Sequence, residues 1–197
     1  KDSGKILYNV TLYLFCPTID DSKSVGKLNI LKKILTGISD LSILKHRLRT
    51  KLGSIYSIST STETTPYYGV FSISYSIEIQ NFFKTLGEII NVLNELKEGL
   101  FNPKLIKIAK QRYLLNIKNI LNSSNPKDYY HYSNKVLNKE ELYNTQEYYD
   151  KYIKDVDKPQ LVKLCKKIFN KDNIYMCAIG PKPLKQDVVM GVLSKLQ

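Results

Sequence analysis

Cysteine is scarce in this chain: Cys16, Cys165 and Cys177 make an odd number with no C-x-x-C spacing. Two fall in apolar strand patterns and one on a helix's apolar stripe. The expectation is therefore small buried hydrophobes in a reducing, intracellular compartment rather than a disulfide frame. Histidine is scarcer still. His46 and His131 stand far apart, without the spacing that would set two metal ligands on one helix face. No Ser/His/Asp or Cys/His arrangement and no glycine-rich phosphate loop is legible. No apolar run approaches the roughly 20 residues that span a bilayer, and no signal peptide is visible, so no membrane partner is expected. Taken alone, the chain is expected to hydrolyse nothing.

Acidic residues are outnumbered, 18 against 30 Lys+Arg, for a formal net charge of +12. Such a balance points either to an anionic partner or to composition drift. The lysines are spread along the chain and no nucleic-acid motif accompanies them, which favours drift over a basic nucleic-acid-binding domain. Arginine is rare within that surplus: only Arg47, Arg49 and Arg112. An arginine kept among so many lysines fits a place where a rigid two-donor fork suits a carbonyl or oxyanion.

At 197 residues the expectation is one α+β domain, residues 1–197, with chain enough to bury a real core. Its start at Lys1, directly in a strand pattern, fits a piece of a longer protein. From Lys5 to Cys16 the residues read as a strand ended by Pro17. Asp20, Asp21 and Ser22 open a helix to about Ile38, with Val25, Leu28, Leu31, Leu35 and Ile38 as its stripe. A second helix follows, with Ile43, Leu44, Leu48 and Leu52 at helical spacing and Arg49 in its last turn. Gly53 stands where a left-handed stop is easiest.

Beyond Gly53, Tyr56, Ile58 and Thr60 alternate with Ser57, Ser59 and Ser61, a strand period. A turn at Glu63–Pro66 leads to a second strand, where Phe71, Ile73, Tyr75 and Ile77 alternate with Ser72, Ser74 and Ser76. Such a sheet packs helices on one side and keeps a small, polar, wet face on the other. The chain reversal lets the Arg49 guanidinium and the Tyr56 phenol, seven residues apart, converge on one spot. Plain structural readings stand beside this one: a helix-end cation for Arg49, a half-buried strand aromatic for Tyr56, an ordinary solvated face for the serines.

A long helix runs from about Ile79 to Glu98 and stops at Gly99; helix resumes at Pro103 and breaks at Asn122–Pro126. The tyrosine-rich Asp128–Tyr152 segment reads as two short helices whose rings pack. Asp157 caps a helix with the stripe Leu161, Leu164, Cys165 and Ile168. A turn at Asn170–Asn173, the strand Ile174–Ile179, Gly180-Pro181 and a final helix, Leu184 to Leu196, follow. Strands and helices grouped in this order predict a mainly antiparallel sheet with helices packed on one face.

The Leu48–Tyr75 and Asp157–Pro181 stretches resemble the C-terminal, non-zinc half-domain of the insulinase/pitrilysin family of zinc metallopeptidases, which includes mitochondrial processing peptidase. The likeness rests on Leu48-Arg49, Gly53 and Tyr56, and on a helix, an Asn/Asp turn, an apolar strand and Gly-Pro. One departure is visible: many members place Gly directly before Leu-Ala-Tyr, where this chain has Ser54 and Ile55. The resemblance implies that Arg49 and Tyr56 hold substrate and steady the oxyanion. It makes the serine face, Ser57 and Ser59 included, the wall of a peptide chamber. It also implies that zinc belongs to an N-terminal His-x-x-Glu-His half, on this polypeptide or another subunit, since this chain lacks that motif. A non-catalytic peptide-binding or scaffold homologue is the alternative; homodimerisation is left open.

Overall fold

Described by the computed structural model are residues 7–53, 55–121 and 145–197. The expected break at 122–126, most of the tyrosine segment and His131 lie outside them. β1 (Leu7–Phe15) pairs antiparallel with β3 (Gly69–Glu78) from Leu7 opposite Glu78 to Phe15 opposite Val70. β2 (Ile55–Thr64) joins β3 as a hairpin, and β4 (Ile174–Ile179) pairs antiparallel on the far side of β1. The resulting order is β2-β3-β1-β4, so β2 and β4 are the edges.

Alternation sets what each face carries. Tyr8, Val10, Leu12 and Leu14 of β1 are buried, as are Phe71, Ile73, Tyr75 and Ile77 of β3. The helices cover that side: α1 (Ser22–Lys32), α2 (Ile43–Lys45), α3 (Phe82–Glu98), α4 (Lys104–Leu121), α5 (Thr145–Tyr152), α6 (Lys158–Ile168) and α7 (Gln186–Leu193). Their apolar stripes, such as Leu86, Ile89 and Leu93 of α3 with Leu161, Leu164 and Ile168 of α6, join the strand residues in one core.

Caps explain several boundaries. The Asp21 carboxylate accepts from Ser24 N at 3.0 Å and opens α1, and the Asp157 carboxylate accepts from Gln160 N at 2.9 Å and opens α6, with Pro159 in its first turn. Past Gly99, the Leu100 N–H reaches back to the Glu95 carbonyl at 2.8 Å and closes α3. At the start of β3, Gly69 allows a backbone approach that no side chain would: a Cβ there would sit 2.3 Å from the Pro17 carbonyl oxygen.

Four details differ from expectation. The first helix reaches only Lys32 as α-helix and continues as a π-helical turn, Lys33–Gly37, with Val25 only partly buried. A short 3-10 turn, Ile79–Asn81, precedes α3, which begins at Phe82. The final helix is shorter than expected, ending at Leu193; it turns Val189 and Leu193 inward and leaves Val188 exposed, and Leu196 is buried just beyond it. The segment after this helix is tied to α3 by Asn94, whose amide donates to Lys195 O at 2.9 Å and accepts from Gln197 N at 3.1 Å. Cys177 is exposed rather than buried, because alternation along β4 puts it on the helix-free face; Cys165 is buried as expected, Cys16 half-buried, and all three thiols are free.

Candidate functional site

After α2 the helix widens into a π segment, His46–Lys51, with Leu52 N bonding Arg47 O at 3.2 Å. Two features fix its rotation. Leu48 is buried in the core, and the Arg47 guanidinium forks between Glu88 Oε1 at 2.7 Å and Glu95 Oε2 at 2.6 Å, both on α3. These two carboxylates raise the Arg47 pKa above its ordinary value. Residues two apart on a helix do not share a side, so tying Arg47 back to α3 leaves Arg49 turned away and exposed. Single π turns of this kind recur at functional sites.

Gly53 then reverses the chain with φ at +58°, and its N–H closes on Arg49 O at 3.1 Å. β2 begins at Ile55, opposite Ile77, but the next paired residue is Ser57, opposite Ser76; Tyr56 is the extra residue of a β-bulge. This corrects the simple alternation that set Tyr56 on the face of Ile58. Ile55 and Ile58 are buried, while Tyr56 (53% exposed) and Ser57 are both turned outward. Bulges are a common means of re-aiming one side chain beside a site. Of the residues singled out in the sequence, Arg49, Tyr56, Ser57 and Ser59 are all exposed, on one chain reversal and the first residues of an edge strand.

The helix-free face is organised in rows across the sheet. Ser57, Ser76, Asn9 and Ile179 form one; Ser59, Ser74, Thr11 and Cys177 the next; Ser61, Ser72, Tyr13 and Tyr175 a third. Its hydroxyls bond across strands: Thr11 Oγ1 with Ser74 Oγ at 3.1 Å, Ser61 Oγ with Ser72 Oγ at 2.6 Å, and Ser76 Oγ donating to Asn9 Oδ1 at 2.7 Å. The face is polar, as expected, over β2 and β3 at the Tyr56 end, with exposed Ile179 at the β4 margin of that row. Toward the other end it becomes aromatic, which sequence reasoning missed because Tyr13, Phe15 and Tyr175 lie in strands far apart in the chain. The outer edge of β2 is closed midway: Thr60 N donates to Thr36 Oγ1 at 3.1 Å and Lys32 Nζ to Thr62 Oγ1 at 2.7 Å.

No group of three His, Cys, Asp or Glu side chains able to hold an ion occurs among the described residues, and His46 is exposed on the π segment. What the site offers is a guanidinium, a phenol and hydroxyls, which are hydrogen-bond donors suited to a carbonyl or a developing oxyanion.

The model of the family described as the peptidase M16 inactive domain matches residues 8–113, more than half the chain. No curated protein matches by sequence. Among solved structures, the peptidase M16 inactive domain from Pseudomonas fluorescens superposes with a TM-score of 0.76 at 16% identity, covering 92% of this chain and 42% of that one. Complex III2 from Candida albicans contains a chain matched at a TM-score of 0.78 and 12% identity, covering 98% and 48%. The inactive peptidase domain of a candidate zinc protease from Bordetella parapertussis gives 0.71 at 15% identity, covering 91% and 94%. At such identities the likeness establishes the fold. The chain spans less than half the length of the Pseudomonas and Candida chains.

Proposed function

Because the chain belongs to the family of peptidase M16 inactive domains, we propose that it is the substrate-holding half of a two-half zinc metallopeptidase. Its partner is the N-terminal half, which carries the zinc and the water it activates. Arg49 and the Tyr56 hydroxyl donate hydrogen bonds to the substrate's backbone carbonyl and to the oxyanion as charge develops. Ser57 and Ser59, on the first residues of β2, line the path of the peptide. The observation that carries this reading is the paired exposure of Arg49 and Tyr56 by a π turn, a left-handed glycine and a bulge acting within one chain reversal.

Donors fixed in a closed, water-poor site typically contribute about 100- to 1,000-fold in kcat. In the full-length protein, Arg49→Ala or Tyr56→Phe is expected to lower kcat/KM on a quenched peptide by about that factor. Bound zinc is expected to stay at the parent's level. Parent-like rates in both variants would remove the proposed role.

A non-catalytic peptide-binding or scaffold role is the second reading, favoured by the match to a chain of Complex III2, an assembly. Under it, Arg49 and Tyr56 clamp a peptide without turnover. Cleavage by the full-length protein that a chelator abolishes separates the two.

A further inference from the structure

We propose that the aromatic end of the open sheet face is a specificity subsite for one apolar side chain, best an aromatic one, of an extended peptide. This rests on the reading above, because the subsite's distance is counted from the bond held at Arg49 and Tyr56. Tyr13 (41% exposed), Phe15 (55%) and Tyr175 (54%), with Val70 and the backbone of Leu14, line an apolar depression of about 390 Å³. That volume lies in the range of small ligand pockets and holds a phenyl ring with room to spare. The Phe15 and Tyr175 rings meet edge to face at 5.7 Å.

The depression is built rather than left over. Phe15 lies one residue beyond the last ladder pair of β1 with β4, yet the Asn173 amide accepts from Phe15 N at 3.1 Å and donates to Phe15 O at 2.9 Å. A side chain thus stands in for the missing strand and fixes the Phe15 backbone. The rest of the face offers less to tell side chains apart. Thr11, Ser74, Ser61, Ser72, Ser76 and Asn9 bond to one another, Ser57 and Ser59 are small, and Ile179 stands at the β4 margin of a row that holds no ring, so selectivity between peptides falls to the aromatic end.

Register sets the spacing. Ser57 is level with Ser76 and Asn9; Tyr13 lies four residues further along β1 and Phe15 six. At about 3.3 Å per residue along the strands, and with two inter-strand steps of about 4.8 Å between β2 and β1, this is roughly 16 to 22 Å, the reach of about five to seven residues of extended peptide laid obliquely across the sheet. The occupant is therefore the substrate itself, anchored at some distance from its scissile bond. The alternative occupant, the surface of the other half-domain, is an outcome of the test.

The experiment uses the full-length protein and quenched serine-rich peptides in which a single Phe is stepped from two to eight residues away on either side of the bond. The expected result is a rise in kcat/KM of about tenfold when Phe sits about five to seven residues away on one side, within the 10- to 200-fold range of apolar pockets. Phe15→Ser combined with Tyr175→Ser flattens that profile, and Val70→Trp, which fills the depression, does the same. Both leave cleavage of the Phe-free peptide unchanged. A profile that is flat in the parent, or that survives both variants, overturns the subsite even where Arg49→Ala still abolishes turnover. Variants that loosen the two halves from each other, read by limited proteolysis between them or, for separate subunits, on a sizing column, overturn it as well, because the depression then belongs to the interface. Where the parent cuts none of these peptides the peptidase reading falls, and fluorescence anisotropy of the same labelled peptides decides the subsite. Phe-dependent affinity lost in both variants sustains it; affinity indifferent to Phe overturns it.

Discussion

Replacing Gly53 by alanine isolates the backbone conformation on which the Arg49–Tyr56 reversal depends. Gly53 has φ at +58°, and a Cβ built there meets nothing within 4 Å. Steric clash therefore contributes nothing, and the cost is conformational alone. Holding an L-residue in the left-handed region costs about 1–2 kcal/mol. Alanine recovers about 0.4–1 kcal/mol by restricting the unfolded chain. The difference is a net loss of about 1 kcal/mol, or roughly 2–4 °C in Tm for a chain of this size. Gly53→Asn should lose less, since a short polar side chain tolerates this region. Gly87→Ala is the opposite control: the site is mid-helix in α3 with open space around it, and a gain of about 0.5–1 kcal/mol is expected. Urea denaturation followed by circular dichroism measures all three. If Gly53→Ala proves as stable as the parent, the left-handed turn is not what holds the reversal.

Tyr75 has a buried hydroxyl with no hydrogen-bond partner among the described residues, and burial pushes its pKa far above the ordinary value. Tyr75→Phe should raise stability by about 1 kcal/mol in the same urea titration, and a loss would reveal a partner for that oxygen. Arg47→Ala should destabilise by about 1 kcal/mol, because its two ion pairs are part-exposed and screened. The deficit should shrink in 1 M salt, and Arg47→Lys should restore little of it for want of the fork. Thiol labelling should follow exposure and ionisation. Burial pushes the Cys16 thiol up to about 11 and Cys165 up to about 12, so both are protonated at pH 8 and exposed Cys177 reacts first. The unfolded thiols lose their protons nearer pH 9, so this contribution to stability is whole below pH 9 and declines as pH rises toward 12. Equal labelling of Cys165 and Cys177 at pH 8 would contradict the burial.

Local signals carried much of the fold. The glycine stop at Gly53, the caps at Asp21 and Asp157 and the alternation of Phe71, Ile73, Tyr75 and Ile77 each depend on neighbours in the chain, and each stands in the structure as read. What escaped depends on partners distant in sequence. The bulge at Tyr56 is a property of register against β3, invisible in the period of β2 alone. The aromatic depression needs β1 between β3 and β4, which brings Tyr13 beside Tyr175 only once the sheet is assembled. Arg47 drew attention as one of three arginines, but its two glutamates lie on α3, 41 and 48 residues further along, where nothing local marks them as its partners. Val189 rather than Val188 turns inward on α7, and Asn94 of α3 bonds Lys195 and Gln197 just beyond it, a contact for which periodicity has no signal.

The sealed margin of β2 has a consequence for crowded solutions. An outer strand normally invites other chains to stack alongside it, the first step toward fibres. Here the Thr36 hydroxyl has already claimed the Thr60 amide and the Lys32 ammonium grips Thr62, so an intruding strand meets an occupied amide and a cation midway along that margin. Under the proposed role of holding loose, strand-prone peptides, such a stopper would already be in place before any guest arrived.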